Sequence, residues 1–351
     1  MIWLALAKLL TYLGLSLLLG GSVMRRTRLA DLPLWWLGLG AGLVLAGGLL
    51  EVGSTLIDLG FTAPSDVADF LTTTRTGRAA IVRVIGAALL LASGLQGWWL
   101  LSLGAGVLTL WGAASAGHSG ELGGVWLLLD MVHAGAAAIW VGGVLALASR
   151  RPSLETGRRF TAVALSCIGV LVVSGVVATL RHVPLASLWS ALWGSTWGMA
   201  LLIKLGLLVT VVPMSVLVRR ALTTGWLAPL LLESALLTGV LGVSGALATS
   251  PPPSLALIQR QVVPVSVKLG GQIVSGQLVL SGPGDLALTL TPALPNLRAR
   301  LIMLDHAMPN QSLVLSNVGG AMSAQTQLWM SGNWALELSQ GVERARVKFG
   351  Y

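Results

Sequence analysis

Asp130 and His133 are ionisable residues inside an apolar run of membrane-spanning length that extends from about Gly124 to Arg150. Such groups are costly at that depth and persist where they face a bundle interior or a water-filled path, so they mark a functional site. With Trp126, Ala137 and Trp140 they recur at steps of three and four residues, which puts a carboxylate and an imidazole on one helical face. Gly135, Ala138, Gly142 and Gly143 strip bulk from the other faces and let neighbouring helices approach closely. His118 closes the preceding apolar run, and a short connection folds it back toward the same pair. Imidazole nitrogens suit Cu(II) and Zn(II), with Asp130 as a further ligand or as the group that orients His133. A structural role is the alternative, in which Asp130 pairs with Arg83 or Lys204 and His133 donates to a carbonyl.

A second candidate cluster is Met303-Leu-Asp-His306-Ala-Met308, where two thioethers and an imidazole fall within six residues, followed by Met322 and Met330. Thioethers select Cu(I) and imidazole accepts either oxidation state, although methionine is equally ordinary core filler. Lys8, Glu51, Arg83, Lys204 and Glu233 are further charges in or beside apolar runs. Lys8 is expected to snorkel outward, while Arg83 and Lys204 could neutralise Asp130 or Glu51. The single cysteine, Cys167, sits in an apolar run and permits neither an intramolecular disulfide nor a thiolate cluster. No Walker A loop or other nucleotide motif is present, so ATP does not drive this chain and nothing marks it as an enzyme.

The elements that must position these groups are membrane helices. The 351 residues are 55% hydrophobic and only 10% charged, with a mean hydropathy of +0.83. That composition defines a polytopic α-helical membrane protein. The net charge of +9 sits in short clusters between apolar runs, a pattern of topology and not of nucleic-acid binding. Eight transmembrane helices are expected, at about Ile2 to Gly21, Leu34 to Leu50, Ala79 to Gln96, Gly97 to Ala116, Gly124 to Ala148, Phe160 to Leu180, Trp197 to Val218 and Trp226 to Ala248. The first has no basic n-region before it and reads as a retained helix. Nine arginines fall in the loops after helices one, five and seven, against three on the opposite side at Arg75, Arg78 and Arg181. Both termini are therefore expected outside the cytoplasm. Glu51, Asp58, Asp66, Asp69, His118, Glu121 and His182 then collect in the outer loops, with Glu51 and His182 as supporting donors. Thr76-Gly77 before Arg83 is echoed by Trp197-Gly198 before Lys204, which suggests a four-plus-four parallel repeat. Beyond residues 1–249, a proline-rich linker at 250–254 leads into residues 255–351. There VVPVSVKL, QIVSGQLVL and DLALTLTP alternate between turn signals, which predicts a small, β-sandwich-like all-β domain.

The runs AGHSG, DMVHAGAAAIWVGGVLAL, RRFTAVALSCIGVLVVSGVVATL and STWGMALLIKLGLL resemble the CopD family of bacterial copper resistance proteins. TTTRTGRAAIVRV and SGALATSPPP fit the same pattern, so the resemblance covers about residues 1–253. It implies an inner-membrane protein that handles a copper ion and moves it from periplasm toward cytoplasm, with a periplasmic carrier of the CopC type as partner. His118, Asp130 and His133 are the motif positions it points to. No CopC-like domain is fused ahead of the helices. Instead the MLDHAMP and LWMSGNWALEL segments are weakly similar to periplasmic domains of the YtkA or FixH type. Two other readings fit: a copper chaperone or assembly factor for a respiratory oxidase without translocation, and a b-type haem protein. Haem ligation normally takes paired deep histidines, and only His133 is clearly deep.

Overall fold

The computed structural model describes residues 2–58, 63–117, 124–150, 153–183, 185, 188–224, 228–250, 261–281, 285–304, 311–328 and 333–350. The chain forms two compact units, Met1–Ser250 and Pro251–Tyr351. In the first, α1 (Ile2–Leu15), a π-helical turn (Ser16–Gly20) and α2 (Gly21–Arg26) run on as one rod. It is followed by α3 (Leu34–Asp58), α4 (Pro64–Thr73), α5 (Arg75–Gln96), α6 (Trp99–Ser115), α7 (Gly124–Ser149), α8 (Leu154–His182), α9 (Leu188–Gly194), α10 (Thr196–Thr224) and α11 (Ala228–Thr249). Seven of these are long and apolar enough to cross a membrane. The eighth expected span, α6, is apolar but has only 17 residues. Gly97 divides it from α5 in the left-handed conformation (φ 74°) that glycine alone adopts freely.

Several boundaries differ from the sequence expectation for one reason. A hydropathy window stops at the first charge, whereas a helix in lipid continues until its backbone carbonyls can be satisfied elsewhere. Thus α3 runs eight residues past Leu50 and takes Glu51 into the bundle, with the hydroxyls of Ser54 and Thr55 donating back to the Glu51 carbonyl. In the same way α8 extends to include Arg181 and His182. The short helices α4 and α9 were not anticipated.

Half of the most apolar stretch of α7 is buried within the unit, against 11% for α8 and α10, so α7 lies at the centre and its neighbours face outward. At that centre α7 meets the first rod backbone to backbone. A Cβ at Gly142 would collide with the carbonyl oxygen of Ser16, and one at Gly20 with that of Ala138. Small residues permit this approach, and the π-helical turn lies in the contact. The two contacts are images of each other, since one interval of 122 residues carries Ser16 onto Ala138 and Gly20 onto Gly142.

A near-identical interval relates two more distant stretches. Thr74 Oγ1 accepts from Gly77 N at 3.0 Å and donates to Phe70 O at 2.6 Å. Ser195 Oγ accepts from Gly198 N at 2.9 Å and donates to Ala191 O at 2.7 Å. In both, a short helix ends on a hydroxyl that caps the next long helix. A shift of 121 residues superimposes the donors, the acceptors and then Arg83 on Lys204.

The second unit holds two antiparallel sheets, one ordered β1-β2-β3-β7-β6 and the other β5-β4-β8-β9. Their strands are β1 (Gln261–Leu269), β2 (Gln272–Ser281), β3 (Asp285–Thr291), β4 (Arg298–Met303), β5 (Gln311–Leu313), β6 (Ser316–Val318), β7 (Ala321–Gln327), β8 (Asn333–Gln340) and β9 (Glu343–Gly350). Residues from both, including Val265, Leu278, Leu288, Leu301, Leu336 and Phe349, share one apolar core. Alternation in β1 to β4 points every second side chain inward, as the sequence pattern requires.

Candidate metal site

His133 lies in the third turn of α7, and its Nδ1 is 2.7 Å from Ser174 Oγ on α8. Ser174 has a single proton, and its oxygen is 2.6 Å from the carbonyl of Val170, which can only accept. The hydroxyl therefore donates to Val170 and accepts from His133 Nδ1–H. A neutral imidazole held in this way keeps its lone pair on Nε2, the form that binds a metal ion or takes up a proton. Ser174 escapes sequence reasoning because a serine in the run LVVSGVV carries no periodic signal, and its partner is 41 residues away.

Asp130 sits one turn nearer the start of α7, and Lys204 of α10 is an electrostatic neighbour of both Asp130 and His133. A further turn along, the Arg181 guanidinium stacks over the Trp126 ring at 3.7 Å from its centroid. One face of α7 thus presents indole, carboxylate and imidazole in sequence, each with a counterpart on α8 or α10. His182, expected as a supporting donor, stands edge-on to Trp197 with ring centroids 6.5 Å apart. His118 lies outside the described residues. Among the described residues no three His, Cys, Asp or Glu side chains converge as a metal cage.

Glu51, Lys8 and Arg83 form a separate cluster. Glu51 Oε1 accepts from Lys8 Nζ at 2.5 Å and Oε2 from Arg83 Nη2 at 2.7 Å, with all three side chains buried. This corrects two expectations: Glu51 lies within α3 and not in a loop, and Lys8 does not snorkel outward. Of the two carboxylates offered to Arg83, it pairs with Glu51. The physical reason is common to all three. A carboxylate this deep is retained only with cationic partners, and the two within reach come from α1 and α5. With both oxygens engaged, Glu51 has little left for a metal. Tyr12 of α1 is an electrostatic neighbour of Glu51 and Asp130 alike, so the two clusters share one neighbourhood.

In the β unit, Met303 faces the common core and pairs in register with Trp334. His306 and Met308 lie outside the described residues. Among the described residues there, the buried charge is Glu337, fully covered on β8 between Arg300 of β4 and Arg346 of β9. Arg346 Nε donates to it at 2.6 Å, and so does Arg300 Nε. Burial works to raise its pKa, but these hydrogen bonds and charges outweigh it and hold the carboxyl below its usual range.

Fold and site together define a multi-pass helical membrane protein with an all-β unit and intramembrane ionisable clusters. No family model matches the chain, and no solved structure matches it. Among curated proteins it is similar to the copper transport protein CutJ of Bacillus subtilis (strain 168), at 32% identity over 143 residues. That match takes in 37% of this chain and 26% of CutJ, so it spans about a quarter of the relative's length.

Proposed function

We propose that this protein is a CopD-like copper transporter of the bacterial inner membrane, with both termini outside and the ion moving inward past His133. One observation carries the reading: Ser174 holds His133 through Nδ1, so that the neutral ring would offer Nε2 to an ion, with a carboxylate one turn away on the same face. An imidazole and a carboxylate hold an ion loosely, which suits passage, because a conducted ion must leave as readily as it binds. The similarity to a protein named for copper transport supports copper as cargo. In this reading α6 completes eight spans, and the two stretches related by the intervals of 121 and 122 residues are copies in a four-plus-four bundle. Arg181 and Trp126 stand at the outer mouth, His118 adds a donor, and a periplasmic carrier of the CopC type delivers the ion. His306 and Met308 of the β unit are assigned to capture, and Met303 to the core.

The test is copper uptake into proteoliposomes holding the full chain, with and without a proton gradient. Wild-type protein should accumulate copper, and His133→Ala should abolish accumulation while folding normally. A well-folded His133→Ala protein that transports at the wild-type rate would sink the site. Binding without uptake would favour the chaperone reading.

A further inference from the structure

We infer that the first half of the membrane unit holds a second copy of the cation site and that Lys8 is its permanent occupant, a tethered ammonium where the second half admits a free ion. The inference takes from the preceding reading only that the site beside His133 is open to a cation. The rest stands on register. The helix crossing fixes an interval of 122 residues between the first rod and α7, through Ser16 on Ala138 and Gly20 on Gly142. That interval carries Lys8 onto Asp130 and Thr11 onto His133. Between α5 and α10, the matched caps at Thr74 and Ser195 fix an interval of 121, which carries Arg83 onto Lys204. The partner helices correspond as well: Lys8 is held by α3, the helix after its own rod, just as His133 is held by α8, the helix after α7.

What differs is charge. In the second copy the positions hold a carboxylate, an imidazole and an ammonium, with Ser174 on the facing helix. In the first they hold an ammonium, a hydroxyl and a guanidinium, with Glu51 on the facing helix. The first site therefore carries its cation on a side chain, bonded at 2.5 Å to a carboxylate that is 2% exposed. Thr11, at the His133 position, has a buried hydroxyl with no partner among the described residues, as do Arg83 Nε and Nη1. These groups serve a polar enclosure built for a cation and its anion, which an apolar contact would not need. The ligand class is a primary ammonium, fixed by Glu51 and screened from Arg83 by that same carboxylate.

If Lys8 is an occupant, its head group can be supplied separately. Purified full-length Lys8→Ala should melt at least about 5 °C below wild type, because removing one partner of a buried pair is strongly destabilising. Propylammonium chloride should restore most of that loss saturably, while sodium chloride at equal ionic strength should not. Lys8→Met fills the space without charge, so it should lose stability and show no rescue. Lys8→Ala combined with Glu51→Gln should also show none. Equal rescue by sodium, rescue of the Glu51→Gln double variant, or a Lys8→Ala protein as stable as wild type would each overturn the inference. If Lys8→Ala unfolds on extraction, the same comparison is read as yield after solubilising in propylammonium or in sodium chloride. Copper uptake failing in wild type would refute the transport reading and leave this result standing.

Discussion

The cluster around Glu51 and the cluster around His133 lie in the same bundle and share Tyr12 as a neighbour, yet they handle burial in opposite ways. Glu51 is saturated, since each oxygen takes a full positive charge at hydrogen-bond distance. His133 is fixed by a neutral hydroxyl through one nitrogen, and among the described residues no hydrogen bond engages its other nitrogen. Saturation makes a cluster stable and inert. A pre-oriented group with spare valence makes it a site, because only such a group gains a bond when an ion arrives. The difference teaches that depth alone does not identify function in a membrane protein; the satisfaction of each lone pair does.

The largest effect expected from breaking this contrast is on stability. Glu51→Gln strands Lys8 and Arg83 as adjacent buried cations and should cost roughly 3–5 kcal/mol, read as a sharp fall in melting temperature and yield. Copper binding by the surviving protein should be unchanged. A stable Glu51→Gln protein that has lost copper would reverse the assignment of the two clusters.

Glu337 sharpens the comparison outside the bundle, as a carboxylate also held by two cations but with both arginines partly in water. Its folded pKa lies below the unfolded value, so its contribution is present above the ordinary carboxylate range and is lost as pH falls through the folded pKa. Glu337→Gln should cost about 2 kcal/mol at neutral pH, from hydrogen bonds to charged groups. The wild-type advantage should vanish in acid. Hydrogen-exchange protection of β8 amides in the full chain, followed from neutral to acid pH, checks this. A difference that persists in acid would show that Glu337 acts by packing and not by charge.

Asp130→Asn keeps shape and removes charge, and should weaken copper affinity by about 10 to 100-fold with little change in melting temperature. The reverse pattern, unchanged affinity and lost stability, would make Asp130 a counter-ion of Lys204 alone and align this cluster with that of Glu51.

Much of this was legible in the sequence, and the failures have physical causes. The periodicity of Trp126, Asp130 and His133 places them on one face of α7, because a helix fixes what is near along the chain. The strands from Gln261 to Thr291 were equally readable, since each buries every second residue. Glu51 was misplaced because hydropathy ended its helix at Leu50, and only α1 and α5 reveal why a charge is tolerated there. β8 buries five residues in a row, Glu337 among them, as an inner strand flanked by β4 and β9. The helices α4 and α9 are short, so neither offers a run long enough to read. For Glu51 and β8 the decisive partner lies on another element, which spacing along one chain cannot show.

Ser174→Ala gives the smallest expected effect and the cleanest separation of orientation from ligation. Ser174 contacts no ion in the proposed site; it fixes His133 through Nδ1. Alanine removes that acceptor, so Nδ1–H is left without a partner in a buried place and the ring is free to turn or change tautomer. Copper affinity should fall about 10-fold, the low end for a group that positions a ligand. Ser174→Thr should retain most of it, since its hydroxyl can still donate to Val170 and accept from His133. The pH dependence of copper binding discriminates further. A positioning serine changes which imidazole nitrogen is protonated, so its loss should shift the pH midpoint as well as the affinity, whereas loss of simple packing should lower affinity equally at every pH. An alanine variant indistinguishable from wild type in both would leave the imidazole unfixed by Ser174 and remove the contrast with Glu51 on which the site rests.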